Sequence, residues 1–185
     1  MLYITGYKMN KGLIYILTGD GKGKTTAAFG LALRASGYNL RTLVVQFVKS
    51  KKWQSGEVIA VNKYLPLVDV YTTGVGFVGI IDDQKPRSLH KKRADEALIL
   101  VKKKVRQGKY DILILDEINI AIDLDLIKLT DIVDFLKNKP PKLHVVLTGR
   151  KAPKKLIDVA DVISEIKNLK HPFDKGKLAQ KGIDF

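Results

Sequence analysis

The segment Thr18-Gly19-Asp20-Gly21-Lys22-Gly23-Lys24-Thr25-Thr26 interleaves three glycines with two lysines. It follows the apolar run Leu13 to Leu17 and precedes the helix-compatible stretch Ala27 to Arg34. A strand that feeds a glycine-rich turn into a helix gathers backbone N–H groups and the positive end of the helix dipole at one point. Chains hold polyphosphates in this way. Lys24 would neutralise phosphate oxygens there, and the Thr25 hydroxyl would hold Mg²⁺. The strict pattern G-x-x-x-x-G-K-[ST] is not met, because Thr18 stands at its first glycine. Gly19 and Gly21 supply the flexibility instead. A turn that binds nothing is the weaker reading, since its lysines repel one another without an anion. The loop does not say which bond of a nucleotide is broken.

A second constellation lies at Tyr110-Asp111-Ile112-Leu113-Ile114-Leu115-Asp116-Glu117, an apolar stretch that ends in two carboxylates. As a buried strand it delivers Asp116 and Glu117 to the carboxyl edge of a sheet, the Walker B arrangement, where they serve a cation directly or through water. A solvated strand end is the alternative, and it is the weaker one beside a phosphate loop. Thr148-Gly149-Arg150 closes the next apolar run, so its guanidinium emerges at the same edge as a charge clamp or as a surface arginine. Open parallel sheets bind ligands at that edge.

The elements that must position these groups alternate strand and helix, which predicts an α/β fold with a mostly parallel sheet of five or six strands covered by helices on both faces. Strands are expected over Leu13 to Leu17, Thr42 to Val48, Val68 to Thr72, Ile112 to Leu115 and Leu143 to Leu147, with Val162 to Ile166 as a sixth. Helices are expected over Lys24 to Ser36, Glu57 to Tyr64, Pro86 to Arg106 and Thr130 to Leu136. Two loops are candidates for ligand contact or plain connection. One is Thr73 to Gly79, whose glycines let backbone approach a ligand; the other is the tail from His171 to Gly176. A chain of 185 residues suits one domain over 1–185.

Composition narrows the function classes. The absence of cysteine excludes disulfides, thiolate zinc sites and cysteine nucleophiles. The histidines His90, His144 and His171 are scattered; His144 reads as a satisfied strand residue and the others as solvated, so no dedicated transition-metal site is expected. The formal charge of +14 includes runs at His90 to Arg93, Lys102 to Lys104 and Lys151 to Lys155. Without interleaved aromatics for base stacking, a lysine-rich solvated surface is the favoured reading, ahead of nucleic acid or an acidic protein partner. No apolar stretch is long enough for a membrane span, and Met1 to Lys11 lacks the apolar core of a secretory signal, so the cytoplasm is expected.

From Gly12 to Phe185 the chain resembles the corrinoid adenosyltransferases of the CobA/BtuR/CobO type. The likeness rests on Thr18 through Gly30, Val44-Val45-Gln46-Phe47, Leu115-Asp116-Glu117, Thr148-Gly149-Arg150, Lys170-His171-Pro172-Phe173-Asp174 and Gly182-Ile183-Asp184-Phe185, in that order. The resemblance implies a RecA-like P-loop domain that transfers the 5′-deoxyadenosyl group of ATP to Co(I) of a corrinoid, cobalamin, cobinamide or a biosynthetic intermediate, and releases triphosphate. ATP is then held in an orientation reversed relative to hydrolases. It further implies a nucleotide cradle of Gly19, Gly21, Lys22, Gly23, Lys24, Thr25 and Thr26, with Arg34 and Arg150 on the nucleotide. Thr25, Asp116 and Glu117 would serve Mg²⁺ or Mn²⁺, and Lys24, Phe77 and Arg150 would carry the catalysis. Phe77, in the loop Gly74-Val75-Gly76-Phe77-Val78-Gly79, would displace the lower axial ligand to ease reduction of Co(II). Gly79 stands where the family has tryptophan. A homodimer and an acidic flavodoxin-like reductant are implied as partners. The residues alone also allow a RecA-like ATPase acting on nucleic acid, with Glu117 orienting water. A nucleotide sensor without turnover is disfavoured by the intact Lys24, Thr25, Asp116 and Glu117.

Overall fold

The computed structural model describes residues 11–50, 54–76, 78, 83, 85–172, 176 and 178–184. Phe77, Gly79, Phe173, Asp174 and Phe185 lie outside the described residues. In chain order the elements are β1 (Ile14–Thr18), α1 (Lys24–Ser36), β2 (Thr42–Ser50), α2 (Gly56–Tyr64), β3 (Val68–Gly74) and α3 (Arg87–Arg106). They continue with β4 (Ile112–Asp116), α4 (Ile118–Asp123), α5 (Leu129–Lys137), β5 (His144–Thr148), α6 (Lys154–Ile157) and β6 (Val162–Glu165).

The six strands form one sheet in the order β3-β2-β4-β5-β1-β6, and every pairing is parallel. This is the RecA-like arrangement, with β5 lying between the phosphate-loop strand and the strand that ends in carboxylates. Successive strand residues face opposite layers. Leu113 and Leu115 of β4 enter one core with Leu43 and Val45 of β2, while Ile114 and Val44 enter the other. The first core is closed by α3, whose Ala94, Ala97, Leu98, Val101 and Val105 recur at helical spacing, together with α4 and α5. The second is closed by Ala28, Phe29 and Ala32 of α1 and Val58 and Val61 of α2. Both faces are covered, which explains why the inner strands read as continuous apolar runs.

Two short helices have no counterpart in the sequence reading. The stretch Ile118-Asn119-Ile120-Ala121-Ile122 continues the apolar, β-branched character of β4 and so looks like more strand. Glu117, at φ 62, turns the chain into α4 instead. The four-residue α6 is too short to show a period. Gly74 belongs to β3, and a Cβ there would come within 2.6 Å of Lys49 O, so close approach to β2 accounts for this glycine.

The histidines divide differently from expectation. His144 opens β5 at the edge remote from the phosphate loop, where its Nδ1 accepts from Leu13 N at 3.1 Å; burial pulls its pKa down and keeps the accepting neutral form. His90 is buried rather than solvated, 4% exposed, with Nε2 3.0 Å from Asp83 Oδ1. The remainder of the run, Lys91, Lys92 and Arg93, is exposed on α3, as a solvated basic face should be.

Candidate active site

Parallel register brings the functional strand ends to one level. Gln46 of β2 stands opposite Asp116 of β4, and Leu17 of β1 opposite Thr148 of β5. The phosphate loop leaves β1 immediately above them. Its glycines have two different jobs. The chain after β6 lies against Gly21, which donates its N–H to Ile166 O at 2.7 Å, and a Cβ on Gly21 would meet that same oxygen at 2.7 Å. Gly19 is packed by Ile166 in the same way. Gly23 has open space but φ 111, a conformation other residues rarely adopt, and from there it starts α1. The amides of Lys24, Thr25 and Thr26 then form the first turn, where no carbonyl of the helix is available to accept them. Lys24 folds over the loop and donates to Gly21 O at 2.6 Å.

Beneath the loop lies a buried polar network centred on Asp116, which is 0% exposed. Its Oδ1 accepts from Thr25 Oγ1 at 2.9 Å and Thr148 Oγ1 at 2.7 Å. Its Oδ2 accepts from Gln46 Nε2 at 2.9 Å and lies 3.0 Å from Lys49 Nζ. A carboxylate has about four acceptor sites, so protein donors saturate this one. Gln46 is oriented in turn by Thr72, whose Oγ1 donates to its Oε1 at 2.8 Å. Glu117 sits higher, with its N–H on Thr148 Oγ1 at 2.9 Å. Burial pushes the Glu117 carboxyl above its ordinary range and the neighbouring Asp116 adds to this, while Lys49, Lys24 and Arg150 pull it back. Burial likewise lowers the Lys24 ammonium, with Glu117 opposing. Two carboxylates and one hydroxyl are hard oxygen donors of the kind Mg²⁺ takes, and Mg²⁺ needs only one or two protein ligands when it arrives on phosphates. Glu117 has acceptor capacity for direct contact, the Thr25 hydroxyl keeps one lone pair beside the one that accepts from Lys49 Nζ at 3.1 Å, and Asp116 fits as the group that orients Thr25.

These groups border one cleft of about 1120 Å³. Gly21, Lys22, Gly23, Lys24, Thr25, Thr26, Glu117 and Arg150 all line it, whereas Asp116 lies under its floor and Gly19 behind the loop. Arg150 is exposed, with Nε 3.8 Å from Asp20 Oδ1. Asn119 of α4 fixes the preceding turn by donating to Gly149 O at 3.0 Å. Arg34 is not brought to the cleft of its own chain; it is exposed in the last turn of α1, about 15 Å along the helix from Lys24. Four residues to which sequence reasoning gave no role in the site belong here: Gln46, Lys49, Glu57 and Asp184. Glu57 opens α2 and accepts from Thr26 Oγ1 at 2.9 Å. Val48, Val78, Ile120 and Leu124 add apolar lining to the cleft, and His171 and the tail residues Gly182 to Asp184 border it as well.

The tail places an anion on the phosphate loop. Lys22 Nζ donates to Asp184 Oδ1, and Gln180 N donates to Oδ2 at 2.7 Å. The lysine first and that amide second hold the Asp184 carboxyl below its usual range. A bound triphosphate competes for the same lysine. Asp184→Asn is therefore expected to tighten ATP binding a few-fold at low ionic strength, with the gain fading in high salt as exposed pairs are screened. Titration of ATP at two salt concentrations checks this, and weaker binding by the variant would show that the tail assists the nucleotide.

Fold and site together define a P-loop nucleotide-binding protein of the RecA-like class. The family model for "ATP:corrinoid adenosyltransferase BtuR/CobO/CobP" matches residues 10–185, and the chain belongs to that family. A corrinoid adenosyltransferase of Sinorhizobium sp. is 40% identical over 177 residues, covering 95% of this chain and 81% of the relative. The corrinoid adenosyltransferase of Escherichia coli K12 is 34% identical, and that of Salmonella typhimurium, CobA, 33%; each alignment covers 95% of this chain and 86% of the relative.

Proposed function

We propose that this protein transfers the 5′-deoxyadenosyl group of ATP to Co(I) of a corrinoid. The observation that carries the reading is that the phosphate loop and the apolar residues Val48, Val78, Ile120 and Leu124 border one cleft. The cleft, at about 1120 Å³, stands at the upper end of the roughly 300–1,000 Å³ of small-ligand pockets. In the reaction the Co(I) electron pair forms a Co–C5′ bond, the C5′–O5′ bond breaks, and its pair departs on triphosphate. No proton moves, so no general base is needed. The chain's task is to hold C5′ in line and to absorb charge on the leaving group. Lys24 and Lys22 meet the phosphates from the loop, Arg150 from the end of β5, and the amides of Lys24, Thr25 and Thr26 from the first turn of α1. Mg²⁺ held by Thr25 and Glu117 would supply further charge neutralisation.

The finer assignments belong to the same proposal. Cob(I)yrinic acid a,c-diamide, cobinamide and cobalamin are the acceptors to compare, the protein acts in the cytoplasm as a homodimer, and an acidic flavodoxin-like protein delivers the electron to its basic surface. The test is anaerobic incubation with Mg-ATP and chemically reduced corrinoid, following the spectrum for the adenosylated product. The phosphate product is expected to be triphosphate in equal amount. Stoichiometric ADP, above all if nucleic acid stimulates it, would replace this reading with that of an ATP-hydrolysing motor.

A further inference from the structure

The floor of the cleft carries a cation of the chain's own. Lys49 extends from the end of β2, where Nζ donates to Thr25 Oγ1 at 3.1 Å and pairs with Asp116 Oδ2 at 3.0 Å. The Thr25 hydroxyl and the Walker B carboxylate are also the groups that a P-loop site turns toward its divalent cation. A fully buried carboxylate with no cation beside it is costly, and Glu117 next in the chain adds a second negative charge. The Lys49 side chain is 21% exposed and borders the cleft, so its ammonium is not locked in place as Asp116 is. A lysine is a point charge on a flexible stem, suited to swing between anionic partners.

We propose that Lys49 is the built-in counter-ion of this cation site. In the nucleotide-free protein its ammonium satisfies Asp116 and Thr25 and repels free divalent cations. A cation arriving with a polyphosphate displaces it, because the phosphates offer the ammonium new anionic partners within the same cleft. Cation and nucleotide then enter as one unit, and the site stays charge-balanced while empty. Lys49 acts here as a positioning residue that couples entry of the cation to that of the nucleotide. The inference rests on Thr25, Asp116 and Glu117 forming the cation site, but it does not depend on adenosyl transfer.

Mn²⁺ binding to the nucleotide-free protein, followed by the paramagnetic resonance of the free ion, tests it without turnover. Wild type is expected to bind Mn²⁺ weakly. Lys49→Met is expected to bind it tighter by on the order of tenfold or more, since a repelling charge has been removed. Lys49→Arg, which keeps the charge, should stay weak. The gain in Lys49→Met should vanish when Glu117→Gln is added. Mn²⁺ should also raise the thermal midpoint of Lys49→Met and leave that of wild type unmoved. Tight Mn²⁺ binding by wild type without nucleotide overturns the proposal, with no variant needed. So does unchanged or weaker binding by Lys49→Met, or a gain that survives Glu117→Gln. A protein that passes this test yet forms no adenosylated corrinoid would refute the proposed reaction and leave the counter-ion standing.

Discussion

Lys24→Ala is expected to abolish turnover even when Co(I) is supplied ready-made. The side chain is 8% exposed, and its ammonium rests on Gly21 O across the mouth of the phosphate loop. Burial already works against that charge, with Glu117 helping to retain it. Such a cation costs little further desolvation when phosphate arrives, because its water has been removed in advance. Loss of one preorganised donor to a developing negative charge costs about 2.7–4 kcal/mol, or roughly 10²–10³ in kcat, and Lys24 brings a full charge to that position. The effect is read as single-turnover adenosyl transfer under saturating ATP, with circular dichroism to confirm the fold. Activity within a few-fold of wild type would mean that the phosphates lie elsewhere.

The phosphate loop was legible because its chemistry is local: strand, glycines, lysine and helix follow one another within a few turns of chain. The inner strands were legible because burial on both faces removes polar residues from them, as in Ile112 to Leu115. What escaped was the wiring between strands. Gln46 and Asp116 meet only through the register of β2 with β4, seventy positions apart, and nothing in Val44-Val45-Gln46-Phe47 says which neighbour the glutamine will find. Lys49 was masked by its type, one of 33 lysines and arginines in the chain. Gly21 was read for its freedom, whereas the structure shows crowding by the chain after β6. Arg34 came from resemblance alone, and the path of α1 carries it away from the cleft of its own chain.

Asp116 and Glu117 are neighbours whose removal should have opposite consequences for stability. Asp116→Ala strips the acceptor from Thr25, Thr148, Gln46 and Lys49 at once. Removing one partner of a buried ion pair costs about 3–5 kcal/mol, and the lower end applies here because Lys49 borders the cleft and can reach water. A domain of this size shifts its melting point by roughly 2–4 °C per kcal/mol, so a midpoint lower by about 6–12 °C is expected, together with loss of activity through a misplaced Thr25. Glu117→Gln is different. Burial and the Asp116 charge push the Glu117 carboxyl up, which means that the fold disfavours its ionised form. A neutral amide of the same shape relieves that penalty, so the midpoint should hold or rise at neutral pH, while the proposed cation site loses a carboxylate and most of the turnover is expected to go with it. Thermal denaturation of both variants alongside activity separates the two roles. A large drop in midpoint for Glu117→Gln would make it a structural carboxylate like its neighbour, and a stable Asp116→Ala would show that the network beneath the loop is held by its other members.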